Sequence, residues 1–193
     1  MGCAVSENPA FIFTHIPKTG GTSLFSNHSP VQCNLRAHCQ DLKVMNGHRY
    51  LRNYAKTLDL SKYFKFAVVR NPYDRFISLW LTRIEYKTLD SFINAMKKRI
   101  FGWYALKPQF TWISIVNGPL LTDHLVRYEN YIEGINEVFK TLGLPKVQIP
   151  HLRRTDRAKD YRMYYKKASQ IAFVTEYYKK DLDLFNYSFK ETV

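Results

Sequence analysis

The sequence predicts a single α/β domain over residues 1–193, with a central, mainly parallel sheet flanked by helices on both faces. Three short apolar runs, at 11–14, 65–70 and 123–128, are rich in β-favouring residues and predict the strands. Each run is followed by a turn and by helix-start signals, an alternation that is typical of parallel sheets. The 193 residues, 46% of them hydrophobic, are enough for one domain with its own core.

The predicted elements follow one another in a simple order. Strand 11–14 leads into a helix from about residue 22, and a helix covers part of 49–58. Strand 65–70 leads into a helix to about 85, and segments 89–100 and 103–116 are also predicted to be helical. Strand 123–128 precedes helix 130–142, which Gly143 and Pro145 end, and helix 166–180 closes the chain.

The turn after the first strand, in FIFTHIPKTGGTS at 11–23, is suited to holding a phosphate. Paired glycines, Gly20 and Gly21, allow a sharp turn and a close approach of an anion to the backbone. The helix that begins near Thr22 adds free N–H groups and a positive dipole end, and Lys18 adds a full charge. Thr19, Thr22 and Ser23 supply further donors. The pattern is not a Walker A loop, because the lysine precedes the glycines.

The second strand ends in a similar turn, within FKFAVVRNPYDRFISLW at 64–80. Asn71 is a suitable N-cap and Pro72 a suitable first helical residue. Arg70 therefore lies at the carboxyl end of a strand, where open α/β sheets bind ligands. Its guanidinium can grip a phosphate with two N–H groups, and Ser78 can add a hydroxyl. A structural ion pair is the alternative role for Arg70.

Together the two motifs resemble those of the sulfotransferases that use 3′-phosphoadenosine 5′-phosphosulfate (PAPS). IPKTGGTS is similar to their 5′-phosphosulfate loop, and RNPYDRFIS to their 3′-phosphate element. The resemblance is closest to the carbohydrate-type and bacterial branch, and LVRYENY at 125–131 and DLDLFNYSF at 181–189 extend it. The resemblance implies a P-loop-like three-layer fold. It also implies transfer of a sulfuryl group from PAPS to a hydroxyl group of an acceptor, with release of 3′-phosphoadenosine 5′-phosphate (PAP). The expected acceptor is a saccharide.

The resemblance also assigns residues to roles. It makes Lys18 and His48 catalytic: Lys18 stabilises charge on the leaving phosphate, and His48, which follows Gly47, takes the proton of the acceptor. The cofactor-binding set that it implies comprises Lys18, Thr19, Gly20, Gly21, Thr22, Ser23, Arg70, Ser78, Tyr128 and Arg157. Each of three assignments has an alternative. His48 could have a surface or structural role, and Tyr128 could be an aromatic residue of the core. The cluster that contains Arg157 could be a solvated basic loop.

Charge and composition leave two other functions open. A net charge of +13, from 29 Lys and Arg against 16 Asp and Glu, predicts attraction to polyanions, so a non-catalytic polyanion binder is one alternative. A kinase-like phosphotransferase is the other, although the lysine position and the absence of an Asp-containing Walker B strand disfavour it. No specific nucleic-acid partner is expected.

Localisation and metal content follow from what the sequence lacks. No run of eighteen apolar residues predicts a transmembrane helix, and residues 1–10 lack the apolar core of a secretory signal. We therefore expect a cytoplasmic, soluble protein with reduced cysteines, although the start MGCAVS also fits a lipidation pattern. Cys33, His38 and Cys39 lack a fourth ligand at zinc spacing, so no metal is predicted.

Overall fold

The computed structural model describes residues 2–24, 38–39, 41–45, 47–98, 104–146, 158 and 160–190, without the side chains of Thr22 and Ser23. The strands are β1 Ala4–Glu7, β2 Ala10–Thr14, β3 Lys43–Val44, β4 Phe64–Val69 and β5 His124–Arg127. The α-helices are α1 Gly21–Leu24, α2 Pro72–Trp80, α3 Leu89–Lys97, α4 Phe110–Ile113, α5 Tyr131–Thr141, α6 Ala168–Tyr177 and α7 Lys179–Phe185. Short 3-10 helices cover Leu51–Lys56, Leu60–Lys62, Tyr104–Leu106, Tyr128–Asn130 and Tyr161–Tyr164.

The chain divides into two compact units. The first comprises residues 1–69 and 111–155 and contains all five described strands. The second comprises residues 70–110 and 156–193, and its described elements are helical.

The sheet of the first unit is mixed, with strand order β3-β1-β2-β4-β5. The parallel pairings of β2 with β4 and of β4 with β5 confirm the three predicted strands. The expectation of a mainly parallel sheet is wrong, because β1 pairs antiparallel with both β2 and β3. Asn8 and Pro9 form the two-residue turn between β1 and β2, and so short a connection can join only antiparallel strands.

Both faces of this sheet are covered. On one face α5 packs its apolar side onto β2, β4 and β5, in a cluster that includes Phe11, Phe13, Phe66, Val68, Val126, Ile135, Val138 and Phe139. On the other face the 3-10 helix Leu51–Lys56 contributes Leu51 and Tyr54 to a cluster with Cys3, Val5, Ile12 and Tyr63. Residues of the central strands therefore point into apolar surroundings on both sides, which explains their continuous apolar runs.

The second unit begins with the helix start that the sequence predicts. The Asn71 side chain accepts a hydrogen bond from the Tyr73 N–H, and Pro72 is the first helical residue. Helix α2 ends at Trp80, earlier than expected, and helix 166–180 is in fact α6 and α7, divided at Tyr178.

Buried charges organise the second unit. The Asp181 carboxylate accepts hydrogen bonds from the Gln109 and Phe110 N–H groups at 2.6 and 2.9 Å. The Arg75 guanidinium, fully buried, donates to the carbonyl oxygens of Ala105 and Lys107. These side chains satisfy backbone groups where the chain passes from the 3-10 helix Tyr104–Leu106 to the start of α4.

Replacing Asp181 with Ala should destabilise the second unit by about 3 kcal/mol, because each buried N–H that loses its acceptor costs about 1–3 kcal/mol. Urea denaturation followed by circular dichroism measures this loss. Asp183→Ala is the matched control, because Asp183 is exposed on the same helix, and it should change the unfolding free energy by less than about 0.5 kcal/mol. Equal losses in the two variants would contradict the capping role of Asp181.

Stability should also depend on pH through this carboxyl group. Burial raises the pKa of Asp181 to about 6 in the folded chain, above its unfolded value, so between pH 4 and 6 the folded state holds more protons on this group. Its contribution to the unfolding free energy should therefore fall as pH rises through that window, by on the order of 2 kcal/mol. Denaturation curves for the wild type and for Asp181→Asn test this, and the variant should show the flatter pH dependence.

Candidate active site

The loop after β2, residues 15–20, together with Gly21 at the start of α1, forms the first part of the candidate site. Its backbone passes through two left-handed residues, Lys18 with φ 70° and Gly20 with φ 81°. The buried Thr19 hydroxyl donates to the Ile16 carbonyl oxygen at 2.9 Å. The side chain of Thr19 thus stabilises the turn by a hydrogen bond to its own backbone.

Lys18 is the residue of this loop whose conformation is least expected. A left-handed backbone costs a residue with a Cβ roughly 1–2 kcal/mol, and such strain concentrates at functional positions. Lys18 is half-buried rather than fully exposed. A lysine therefore stands at a position whose backbone conformation glycine would adopt more easily.

Aromatic rings enclose the two glycines of the loop. A Cβ on Gly20 would lie 2.9 Å from Cε2 of Tyr128 and 3.2 Å from Cε2 of Tyr131. The Tyr131 hydroxyl also donates to the Gly20 carbonyl oxygen at 3.1 Å. A Cβ on Gly21 would collide with the His15 ring. Side chains are excluded at both positions because these rings occupy the space that a Cβ would need, and Gly21 itself is buried.

His48 contacts the start of the same loop. Its Nδ1 lies 2.7 Å from the His15 carbonyl oxygen, and the two imidazole rings are 4.4 Å apart. A carbonyl oxygen can only accept, so Nδ1 must carry the proton. In the neutral ring the lone pair is then on Nε2, the arrangement that a general base needs. The centroid of the Trp112 ring lies 5.9 Å from that of the His48 ring.

Arg70 directly follows β4 and opens the second unit. Its side chain is 5% exposed and pairs with Asp74, through Nε at 2.8 Å and Nη2 at 2.7 Å. Its backbone exchanges two hydrogen bonds with the Gln109 side chain, at 2.9 and 2.8 Å. The structural ion pair considered for Arg70 is therefore present, and Asp74 engages two of the five guanidinium N–H groups. Ser78 lies buried on α2.

The predicted site residues fall into three sets. Those grouped around the loop of the first unit are Lys18, Thr19, Gly20, Gly21, His48 and Tyr128. Arg70 and Ser78 belong to the second unit. Thr22 and Ser23 lie in α1, and their side chains, like Arg157 with its basic neighbours, lie outside the described residues.

Sequence reasoning missed Tyr131 and Cys3 as neighbours of the loop. Tyr131 begins α5 in the LVRYENY segment, so its position at a strand-to-helix turn was a usable signal. The Cys3 sulfur accepts from the His15 N–H at 3.3 Å. No local sequence pattern predicts this contact, because it depends on the pairing of β1 with β2.

Several absences concern only the part of the chain that is described. There, no group of three or more His, Cys, Asp or Glu side chains is placed to hold a metal ion. Within the same ranges, no helix has the length and apolar character needed to cross a bilayer. Cys3 and Cys39 are buried free thiols, and Cys33 lies outside the described residues.

Comparison with known proteins gives one match. The model of the sulfotransferase family matches residues 2–111, a range that contains the loop, His48, Arg70 and Ser78 but not Tyr128 or Arg157. The comparisons with curated proteins and with solved structures gave no significant match. Since the family model covers more than half of the 193 residues, the chain belongs to the sulfotransferase family, whose members transfer sulfuryl groups.

Proposed function

We propose that the chain transfers the sulfuryl group of PAPS to a hydroxyl group of a saccharide acceptor and releases PAP. The observation that carries this proposal is the contact of His48 with the loop that bears Lys18, through the 2.7 Å hydrogen bond to His15. The proposed proton acceptor, His48, thus contacts the loop that carries the proposed cation, Lys18. Sulfuryl transfer to a hydroxyl requires both.

The residues of the first unit suit one end of the nucleotide. Gly20 is partly exposed and carries no side chain, so a phosphate would be able to approach the loop backbone closely at this residue. Lys18 supplies the charge that balances the leaving phosphate. The Tyr128 ring, packed against Gly20, offers a flat face beside the loop on which the adenine can rest.

The residues of the second unit suit the 3′-phosphate. Asp74 holds Arg70 by Nε and Nη2, which restricts the guanidinium to one orientation. The exchange of backbone bonds with Gln109 fixes the start of α2 in the same way. Arg70 and Ser78 would bind the phosphate, and Thr22, Ser23 and Arg157 complete the proposed nucleotide contacts.

Each catalytic residue has one task in this scheme. PAPS supplies the activated sulfuryl group. His48 Nε2 accepts the proton of the acceptor hydroxyl, while Nδ1 remains bonded to the His15 carbonyl oxygen and keeps the ring in place. The Lys18 ammonium stabilises negative charge on the departing phosphate oxygen. Most of the rate enhancement comes from positioning and charge stabilisation, as in phosphoryl transfer.

The saccharide assignment rests on the resemblance of HIPKTGGTS and VRNPYDR to the carbohydrate-type branch. The net charge of +13 adds that an acceptor already carrying negative groups would be attracted to the protein, more strongly at low salt.

Calorimetric titration with PAP tests the cofactor. PAP should bind without added metal, and Arg70→Ala should weaken binding by about 1.5–3 kcal/mol, the range for a hydrogen bond to a charged group. Arg83→Ala is the control, because Arg83 belongs to the same unit but pairs at its surface with Glu85. Binding of ATP with Mg²⁺ in place of PAP would instead identify a phosphotransferase, and binding of polyanions alone a non-catalytic protein.

Steady-state kinetics test the catalytic pair. His48→Ala should lower turnover by about 10²–10⁴-fold, and Lys18→Ala by about 10²–10³-fold, with PAP affinity retained in His48→Ala. The controls are His124→Ala and Lys43→Ala, which alter the same residue types on strands of the same unit. Normal turnover in His48→Ala would show that the base is another group.

A further inference from the structure

The first two described residues, Gly2 and Cys3, hold the segment that carries His48; we call this pair the N-terminal clamp. The Cys3 sulfur accepts from the His15 N–H at 3.3 Å and from the Arg49 N–H at 3.4 Å. Its own S–H donates to the Arg49 carbonyl oxygen at 3.4 Å. The Cys3 side chain thus bonds to His15, whose carbonyl oxygen accepts from His48, and to Arg49, which directly follows His48.

The backbone of the clamp fixes the other side of His48. The Cys3 carbonyl oxygen accepts from the Met45 N–H at 2.8 Å. A Cβ on Gly2 would collide with the carbonyl oxygens of Met45 and Gly47, so the chains touch here with no room for a side chain. The clamp therefore contacts the chain on both sides of His48.

We propose that the N-terminal clamp is a positioning device for His48, which sets the orientation of the imidazole against the His15 carbonyl and so directs Nε2 toward the acceptor. The catalytic part of this role rests on the proposed function of His48 as the base. Gly2 and Cys3 act only through the backbone of residues 45–49 and of His15, and neither needs to touch the substrate.

The chemistry of the thiol fits this role. Burial raises the pKa of Cys3, so the sulfur keeps its proton and can donate to Arg49 while it accepts from the two N–H groups. Cys3 is fully buried among Val5, Ile12, Leu51 and Tyr54. The alternative is that Cys3 merely fills this core cluster, and the experiment must separate filling from positioning.

The test combines ring-nitrogen NMR of His48 with kinetics, in Cys3→Ala and Cys3→Ser. The NMR signal, assigned with His48→Ala, reports which ring nitrogen carries the proton. In Cys3→Ala we expect the Nδ1–H form to give way to a mixture of tautomers, and turnover to fall roughly tenfold, because small misplacements of a catalytic group are costly. PAP affinity should stay unchanged. Cys3→Ser, which keeps a donor and an acceptor, should retain the Nδ1–H form.

Cys39→Ala is the matched control, since Cys39 is the other buried free thiol of the described residues and lies in the opposite cluster. It should lose stability without a change in the His48 signal. Gly2→Ala is the second variant should Cys3→Ala not fold, because its methyl group displaces the segment at Met45 and Gly47 and leaves the thiol intact. It should alter the His48 signal as Cys3→Ala does.

The outcomes separate the two proposals. An unchanged His48 signal in Cys3→Ala or Gly2→Ala, or an equal change in Cys39→Ala, would overturn the clamp. A wild-type protein that shows no sulfuryl transfer, together with the expected shift of the His48 signal, would leave the clamp supported and the proposed function wrong. Tautomer shift and loss of turnover together would support both.

Discussion

Residues Phe11 to Thr14 pair in parallel with Phe64 to Ala67, and the placement of the Lys18 loop depends on this pairing. It brings the carboxyl ends of β2 and β4 to the same edge of the sheet. The Lys18 loop follows one of these strands, and Arg70 follows the other. Because backbone hydrogen bonds between central strands are shielded by apolar residues on both faces, the two strand ends have little freedom to shift. The placement of the first loop is thus a property of the sheet.

The loop itself adds a second level of constraint. Rings of Tyr128, Tyr131 and His15 surround its glycines, and the Thr19 hydroxyl closes its turn. Lys18 can remain left-handed only because this surrounding structure determines the backbone on either side. A preorganised loop would lose little conformational entropy on binding the proposed phosphate, and this smaller entropic cost would favour affinity without additional contacts.

Local signals in the sequence predicted the three parallel strands and the start of α2, because apolar runs and the Asn-Pro cap are short-range features. They did not predict β1, whose buried Ser6 breaks the apolar pattern and is satisfied by Asp41 at 2.8 Å, far along the chain. Lys18 and the glycines were recognisable as a loop from spacing. The contact of His48 with His15 was not, since His48 was chosen by family resemblance and its partner is set by tertiary structure. The pairing of Arg70 with Asp74, one helical turn apart, was foreseeable as an alternative role.

The hydrogen bonds that begin at Asp181 reach a residue far from it in sequence. Asp181 on α7 holds the Gln109 backbone, and the Gln109 side chain holds the backbone of Arg70. The backbone of Arg70, the residue proposed to bind the 3′-phosphate, is thus held through Gln109 by a carboxylate on α7. A premature stop codon before residue 181, or proteolysis there, would leave the Lys18 loop and its strands complete while removing the anchor of Gln109. In such a truncated protein the Gln109 and Phe110 N–H groups would lose their acceptor, and the Gln109 side chain that bonds to the Arg70 backbone would lose its anchor.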